Sequence, residues 1–104
     1  MPPVKLCALS DLEPGRGHLV RQRGHDLAVF LVGGEVRVVD NTCLHTGGAL
    51  ADGPVVDGCV ICPLHGWVYD LTTGQTVVGH RTAGNLRTYE AWVDNGTILA
   101  SLDE

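Results

Sequence analysis

The sequence predicts an all-β domain, an antiparallel sandwich or barrel, and three observations indicate this class. Fourteen glycines in 104 residues point to many turns between short elements. Strand-like segments recur about every 8–12 residues, which is typical of antiparallel sandwiches and barrels. No stretch keeps a 3.6-residue apolar period over three turns, so we expect no long helix. At this length the chain is expected to form a single domain over residues 1–104.

Two hairpins are the clearest predicted elements. Residues 27–32 form a continuous apolar run, which predicts a well-buried strand, and residues 35–40 read as the returning strand. Gly33-Gly34 between them is a two-residue hairpin signal. Near the end of the chain, residues 86–93 and 97–102 are predicted to pair across a turn at Asp94-Asn95-Gly96.

Shorter strands are predicted before and between these hairpins. They are residues 4–9, 18–22, 55–56, 59–61, 67–69 and 75–78. Asp57-Gly58 and residues 72–74 supply turns among them. Residues 42–70 are loop-rich and are predicted to be an insertion between two β ribbons.

The charge and hydropathy patterns exclude two classes of partner. The net charge is −5 and the seven Lys and Arg residues are scattered, so no basic stripe is available for a nucleic-acid backbone. The longest apolar run, residues 27–32, is too short to span a bilayer. The first residues lack the features of a signal peptide, so we expect a cytoplasmic protein. Structural disulfides are rare in that compartment, so the four cysteines are expected to have a different role.

Two of the cysteines lie beside histidines and form a candidate metal site. Cys43-x-His45 and Cys62-x-x-His65 are separated by sixteen residues. Glycines follow each pair, and they allow backbone N–H groups to turn toward a buried anionic centre. A structural zinc site commonly uses C-x₂₋₄-C and H-x₃₋₅-H spacing. Here each loop supplies one Cys and one His, which suits a binuclear centre with both thiolates on one iron and both imidazoles on the other.

This pairing resembles the Rieske [2Fe–2S] signature. The segment from Cys62 to Gly74, CPLHGWVYDLTTG, is similar to the second cluster loop of Rieske ferredoxins and ring-hydroxylating oxygenases. The resemblance implies a Rieske-like fold with a small loop-rich cluster-binding subdomain. It also implies one [2Fe–2S] cluster, with Cys43 and Cys62 on the inner iron and His45 and His65 on the outer iron.

The resemblance implies electron transfer, and three functional classes follow from the sequence. The first is a one-electron carrier, not itself an enzyme, that links a flavoprotein reductase to a terminal oxygenase. The second is the small redox subunit of a larger enzyme such as assimilatory nitrite reductase. The third is a non-redox, zinc-stabilised binding module.

Three departures from the family pattern concern the surroundings of the cluster. The positions of the extra cysteines of high-potential members are matched here by Gly47 and Leu64, so the loop disulfide is absent. Trp67 stands where those proteins have a serine. Both differences favour the low-potential ferredoxin branch. The stretch over residues 80–85, where a covering loop often contains proline, has none.

The remaining Cys, His and aromatic residues are given structural roles. Cys7 and Cys59 lie in apolar strand-like segments and are predicted to be buried structural thiols. The isolated histidines are predicted to be exposed; they are His18, His25 and His80. Trp67 and Tyr69 alternate as on a strand, so at least one is expected in the core, and Trp67 is expected to shield the cluster from water.

Overall fold

The computed structural model describes residues 3–44, 48–64, 66–79 and 84–102. Within these ranges it contains eleven strands and two 3-10 turns, at Leu9–Asp11 and Leu50–Asp52. The strands are β1 (Val4–Ala8), β2 (His18–Gln22), β3 (His25–Val32), β4 (Glu35–Asp40), β5 (Val55–Val56), β6 (Cys59–Ile61), β7 (Val68–Asp70), β8 (Thr76–Val78), β9 (Thr88–Tyr89), β10 (Ala91–Asp94) and β11 (Thr97–Ala100). The predicted all-β class is confirmed.

The strands form three antiparallel sheets, none of them closed into a barrel. The first has the order β1-β11-β10, and the second has the order β2-β3-β4-β9. The third, β5-β6-β7-β8, is built from the residues of the predicted loop-rich insertion and the strand after it. In the part of the chain that the structure describes, no helix is long and apolar enough to cross a membrane.

Strand β3 is buried on both faces, which explains its continuous apolar sequence. Leu27 and Val29 point into a first core shared with the β1-β11-β10 sheet. Ala28 and Phe30 point the other way, into a second core shared with residues of the third sheet and its loops. Successive side chains of a strand alternate between its two faces, so a strand between two layers needs apolar residues at every position.

Tight turns with positive φ connect the hairpins. Gly33 and Gly34 have φ values of 57° and 81°, as a type I′ turn requires. The turn at Asn95-Gly96 has the same character, with φ values of 54° and 79°. A further turn of this kind lies at Arg23-Gly24, where sequence analysis predicts none because arginine is not among the residues typical of positive φ.

Several predicted strand boundaries are wrong, and most of them differ by only one or two residues. The single strand expected over residues 86–93 is divided between two sheets, because β9 pairs with β4 whereas β10 pairs with β11. The Ser101 N–H donates to the Glu90 carbonyl at 2.9 Å, at the residue where the chain passes from one sheet to the other. Strand β3 begins at His25, two residues earlier than predicted, and β7 begins at Val68 instead of Trp67.

Candidate metal centre

The two predicted ligand loops are closed by equivalent hydrogen bonds. In the first loop the Cys43 N–H donates to the Gly48 carbonyl at 2.9 Å, and in the second the Cys62 N–H donates to the Trp67 carbonyl at 2.7 Å. Each bond joins a cysteine to the residue five positions later. Each loop also extends an antiparallel pairing, through Thr42 with Ala49 and through Ile61 with Val68. The fold therefore places each cysteine at the first position of a closed loop.

Both cysteines are buried in the second core. Cys43 is 2% exposed and Cys62 is 1% exposed, and they share this core with Trp67 and Tyr69. The structure thus brings together the two predicted thiolate ligands. His45 and His65 lie outside the described residues, so their part in the site stays a prediction.

Tyr69 is a site residue whose contact with Cys43 sequence analysis missed. Its hydroxyl oxygen lies 3.2 Å from the Cys43 sulfur. The Leu44 N–H donates to the same oxygen at 3.1 Å. Since the oxygen accepts one hydrogen bond from the backbone, its own proton is available to the sulfur. A thiolate at Cys43 would receive a hydrogen bond from a neutral phenol, an arrangement that favours negative charge on the sulfur.

The environment of Tyr69 keeps the phenol protonated. Burial raises the pKa of Tyr69 well above its ordinary value, and the hydrogen bond and charge of Cys43 act in the same direction. The hydrogen bond from the Leu44 N–H lowers this pKa, and the charge of Cys62 adds a smaller rise. The Tyr69 phenol therefore keeps its proton beside the Cys43 sulfur.

Asn41 makes three hydrogen bonds at the start of the first ligand loop. This buried residue accepts the Ala51 N–H on its side-chain Oδ1 at 2.8 Å, and its backbone carbonyl accepts the Leu50 N–H at 2.7 Å. The Asn41 N–H in turn donates to the Asp26 carbonyl at 2.9 Å. These bonds fasten the 3-10 turn at Leu50–Asp52 to the end of β4, immediately before Cys43.

Trp67 and Gly79 support the second loop. Trp67 is buried, and its ring centroid lies 6.5 Å from that of Tyr69. Gly79 has a φ of 135°, and a Cβ added there would lie 2.4 Å from the Trp67 ring. The position therefore accepts only glycine while the indole keeps its place. Tyr69 and Trp67 are both core residues, in agreement with the prediction that at least one of them is.

The other two cysteines are less buried than predicted, and two of the histidines are less exposed than predicted. Cys7 and Cys59 are free thiols that are only half-buried. His18 and His25 are half-buried instead of exposed, and the His25 ring packs edge-on against Tyr89 at 5.8 Å. His80 lies outside the described residues.

A groove of about 530 Å³ opens beside the first loop. Its lining includes Cys43, Leu44, His25 and the acidic residues Asp26 and Asp40. The buried cysteine thus lies next to a surface depression lined by two carboxylates, one of which is paired with Arg21.

The donor set fits an iron–sulfur centre. Two buried cysteines lie in equivalent loops, and a hydroxyl donor faces one of their sulfurs. A family model described as Rieske [2Fe–2S] domain matches residues 2–90. The chain belongs to the Rieske [2Fe–2S] family. A Rieske domain binds a [2Fe–2S] cluster, so the predicted fold family and cofactor are confirmed.

Three similar proteins place this Rieske chain among electron-transfer components. It is 31% identical over 99 residues to the ferredoxin component of the naphthalene 1,2-dioxygenase system of Pseudomonas putida, covering 95% of this chain and 94% of the relative. The ferredoxin in a complex of reduced oxygenase and oxidized ferredoxin of carbazole 1,9a-dioxygenase is 30% identical, with a TM-score of 0.86 and coverage of 95% and 92%. A protein described as an NADH-dependent nitrite reductase small subunit from Mycobacterium tuberculosis is 27% identical, with a TM-score of 0.85 and coverage of 95% and 93%.

Proposed function

We propose that this Rieske protein is a one-electron carrier that passes electrons from a flavoprotein reductase to a terminal oxygenase. The observation that carries the proposal is the pair of buried cysteines at the start of two equivalently closed loops, with the Tyr69 hydroxyl on Cys43. The cluster supplies one-electron chemistry when bound. The protein's own residues hold the cluster, exclude water from its cysteine side and present a surface to partners.

Cys43 and Cys62 are proposed to bind the inner iron, and His45 and His65 the outer iron. An oxidised [2Fe–2S] core carries a charge of about +2, so two thiolates and two neutral imidazoles bring the site to zero, whereas four thiolates would bring it to about −2. A neutral site accepts an electron more readily, so the potential lies above that of a plant-type ferredoxin. The burial of both cysteines supports the inner position of their iron.

Exposed leucines beside the ligands support a docking face at the cluster. Leu44 directly follows Cys43 and is 41% exposed, and Leu64 directly precedes His65 and is 50% exposed. Large apolar side chains on the surface next to a functional group commonly mark a protein interface. The groove beside Leu44 adds the carboxylates of Asp40 and Asp26, of which Asp26 is paired with Arg21 at 3.2 Å, so this face suits a partner that presents mainly apolar side chains.

The relatives favour an oxygenase as the electron acceptor. One relative is the ferredoxin component of a dioxygenase system, and another was solved with its oxygenase. The likeness to a nitrite reductase small subunit supports a second candidate, a permanent subunit of that enzyme. The two differ in their interface: a carrier docks through a weak contact below about 1,200 Å², whereas a permanent subunit buries more than about 2,000 Å².

Electron transfer to each acceptor distinguishes these candidates. The reduced protein is mixed with an oxidised ring-hydroxylating oxygenase or with a nitrite reductase large subunit, and the loss of its reduced spectrum is followed by stopped flow. We expect rapid transfer to the oxygenase and separation of the two proteins on gel filtration. Stable co-elution with nitrite reductase and no transfer to the oxygenase would establish the second candidate instead.

A matched pair of variants tests the docking face. Leu44→Glu places a charge beside the first loop, and Leu19→Glu places the same charge on a residue of similar exposure, 43%, on β2. We expect the first variant to slow electron transfer to the oxygenase at least tenfold and the second to leave it within twofold. Equal effects of the two variants would refute a docking face at Leu44.

We further infer that the chain acts as one cytoplasmic domain over residues 1–104, with the cluster-binding insertion at about residues 42–70. The second core supports the single unit, since it joins Phe30 and Val39 of the central sheet to Val60 and Tyr69 of the insertion. Cell fractionation of the tagged protein tests the cytoplasmic location. Thermal melting tests the single domain, for which we expect one cooperative transition.

A further inference from the structure

Three ligand-type side chains converge at the end of β1, away from the Rieske loops. The Cys7 sulfur, an Asp11 carboxylate oxygen and a His18 ring nitrogen all lie within 4.8 Å of one another. The three residues come from β1, the first 3-10 turn and β2. Cys7 packs against the first core, whereas Cys43 and Cys62 belong to the second, so this group is distinct from the cluster ligands.

We propose that Cys7, Asp11 and His18 form a second metal site, which binds one Zn²⁺. Thiolate, imidazole and carboxylate are the three ligand classes that zinc uses in proteins, and open zinc sites have three protein ligands and a water. A thiolate ligand favours zinc over hard cations such as Mg²⁺ and Ca²⁺. One thiolate, one carboxylate and one neutral imidazole balance the charge of the ion.

The backbone around this group is held in place without the metal. One Asp11 carboxylate oxygen accepts the Ala8 N–H at 3.0 Å, which keeps the exposed carboxylate near the end of β1. The 3-10 turn is fastened at its start, where the Leu9 N–H donates to the Gly96 carbonyl at 2.8 Å. The pairing of β1 with β11 shifts register between Lys5 and Cys7. Such a bulge changes the direction in which the next side chain points.

The spacing of the three atoms is close to that of a zinc tetrahedron. With Zn–S near 2.3 Å and Zn–N and Zn–O near 2.0–2.2 Å, ligand atoms lie about 3.4–3.6 Å apart. Because the three atoms lie within 4.8 Å of one another, zinc binding needs a contraction of at most about 1.4 Å. The exposed Asp11 side chain can supply much of it. A cavity of about 200 Å³, lined by Asp11 and His18 among others, borders two of the ligands and leaves room for water at a fourth position.

Zinc at this position would join two sheets. Cys7 belongs to the β1-β11-β10 sheet and His18 to the β2-β3-β4-β9 sheet. A ligand that binds only the folded state stabilises it in proportion to the logarithm of ligand concentration over Kd. Zinc bound to these three residues would therefore stabilise the folded state.

The test uses the intact protein with its cluster in place. The protein is passed into zinc-free buffer, titrated with ZnCl₂ in a calorimeter and then analysed for zinc, iron and sulfide after gel filtration. We expect one zinc per chain with the iron and sulfide content unchanged. Cys7→Ser and His18→Ala should each weaken zinc binding at least tenfold. Cys59→Ser and His25→Ala are the matched controls, because they remove another half-buried thiol and another half-buried histidine, and they should bind zinc as the wild type does.

Protection from alkylation gives a second measurement that needs no substitution. Saturating zinc should slow the reaction of Cys7 with iodoacetamide at least tenfold and leave that of Cys59 unchanged, as measured by peptide mass spectrometry. The proposal is overturned if the wild type binds no zinc, if Cys7→Ser and His18→Ala bind it as tightly as the wild type, or if zinc leaves Cys7 alkylation unchanged. If Cys7→Ser does not fold, Asp11→Asn replaces it, since the amide oxygen can still accept the Ala8 N–H.

Discussion

The Tyr69 hydroxyl adds a hydrogen bond that stabilises negative charge on the Cys43 sulfur. Because reduction makes the centre more negative, this bond favours the reduced state. A hydrogen bond to a charged group is worth about 1.5–3 kcal/mol. For one electron that energy corresponds to about 60–130 mV if it acts wholly on the reduced state. Tyr69→Phe should therefore lower the midpoint potential by up to about 130 mV.

Tyr89→Phe is the matched control for this prediction. The Tyr89 hydroxyl donates to the Asp40 carboxylate oxygen Oδ1 at 2.5 Å. Loss of the Tyr89 hydroxyl should leave the midpoint potential within about 20 mV of the wild-type value. This is a small fraction of the change that one full hydrogen bond can produce. A potential that is the same in Tyr69→Phe and the wild type would show that the hydroxyl does not stabilise the reduced centre.

Gly79 has no room for a side chain because Trp67 lies against it. Gly79→Ala combines positive-φ strain with overpacking against the indole, so we expect the free energy of unfolding to fall by about 2–4 kcal/mol. Gly84→Ala separates the two effects, since that residue has a φ of 94° but open space around its Cβ position. Gly84→Ala should lower the free energy of unfolding by about 1–2 kcal/mol. Equal losses in urea unfolding would show that the contact with Trp67 contributes nothing.

At the scale of the elements, the first loop depends on Asn41. Removing its side chain leaves the buried Ala51 N–H without the acceptor that it has in the structure. An unsatisfied buried donor costs about 1–3 kcal/mol, so Asn41→Ala should reduce the free energy of unfolding by that amount. Asn85→Ala changes an exposed asparagine and should stay within about 0.5 kcal/mol of the wild type. A near-neutral Asn41→Ala would mean that the loop base does not need this bond.

The elements that sequence analysis predicted best are those whose signal is local. The apolar run in β3 and the turns at Gly33-Gly34 and Asn95-Gly96 depend on neighbouring residues alone, and the structure has them where expected. The division of residues 86–93 between two sheets depends on pairing partners far along the chain, β4 and β11. No local sequence pattern predicts which sheet each half of this segment joins.

In the candidate site too, residues with a local sequence signal were predicted and residues brought together only by folding were missed. Residue type and spacing predict Cys43 and Cys62, because a cysteine close to a histidine in a reducing compartment is more often a metal ligand than half of a disulfide. Tyr69 follows Cys43 by 26 positions, and only folding brings its hydroxyl to that sulfur. The Cys7, Asp11 and His18 group was missed for the same reason, since its members come from three elements.

At the scale of the whole molecule, the cluster is expected to contribute to folding. Both cysteines lie in the second core, so ligation joins two loops inside a small domain, and the free energy of binding becomes part of the free energy of folding. Cys43→Ser should lower the melting temperature by about 10 °C or more and reduce the folded yield. His65→Ala should act in the same direction.

Cys59→Ser is the control for the cluster-loss prediction, because it removes a thiol outside the ligand set. It should keep the iron content and melt within a few degrees of the wild type. A Cys43→Ser protein that has lost its iron but melts with the wild type would contradict the coupling of cluster binding to folding.

The central claim is that the chain is a low-potential Rieske one-electron carrier, and a potentiometric titration of the purified protein tests it most directly. Rieske centres span about −150 to +300 mV. The chain has Trp67 where high-potential members have a serine hydroxyl, and it lacks their loop disulfide. We therefore predict a centre with two irons and two sulfides that takes up one electron with a midpoint near the lower end of that range. A midpoint above about +100 mV, or a protein without sulfide that takes up no electron, would contradict the account.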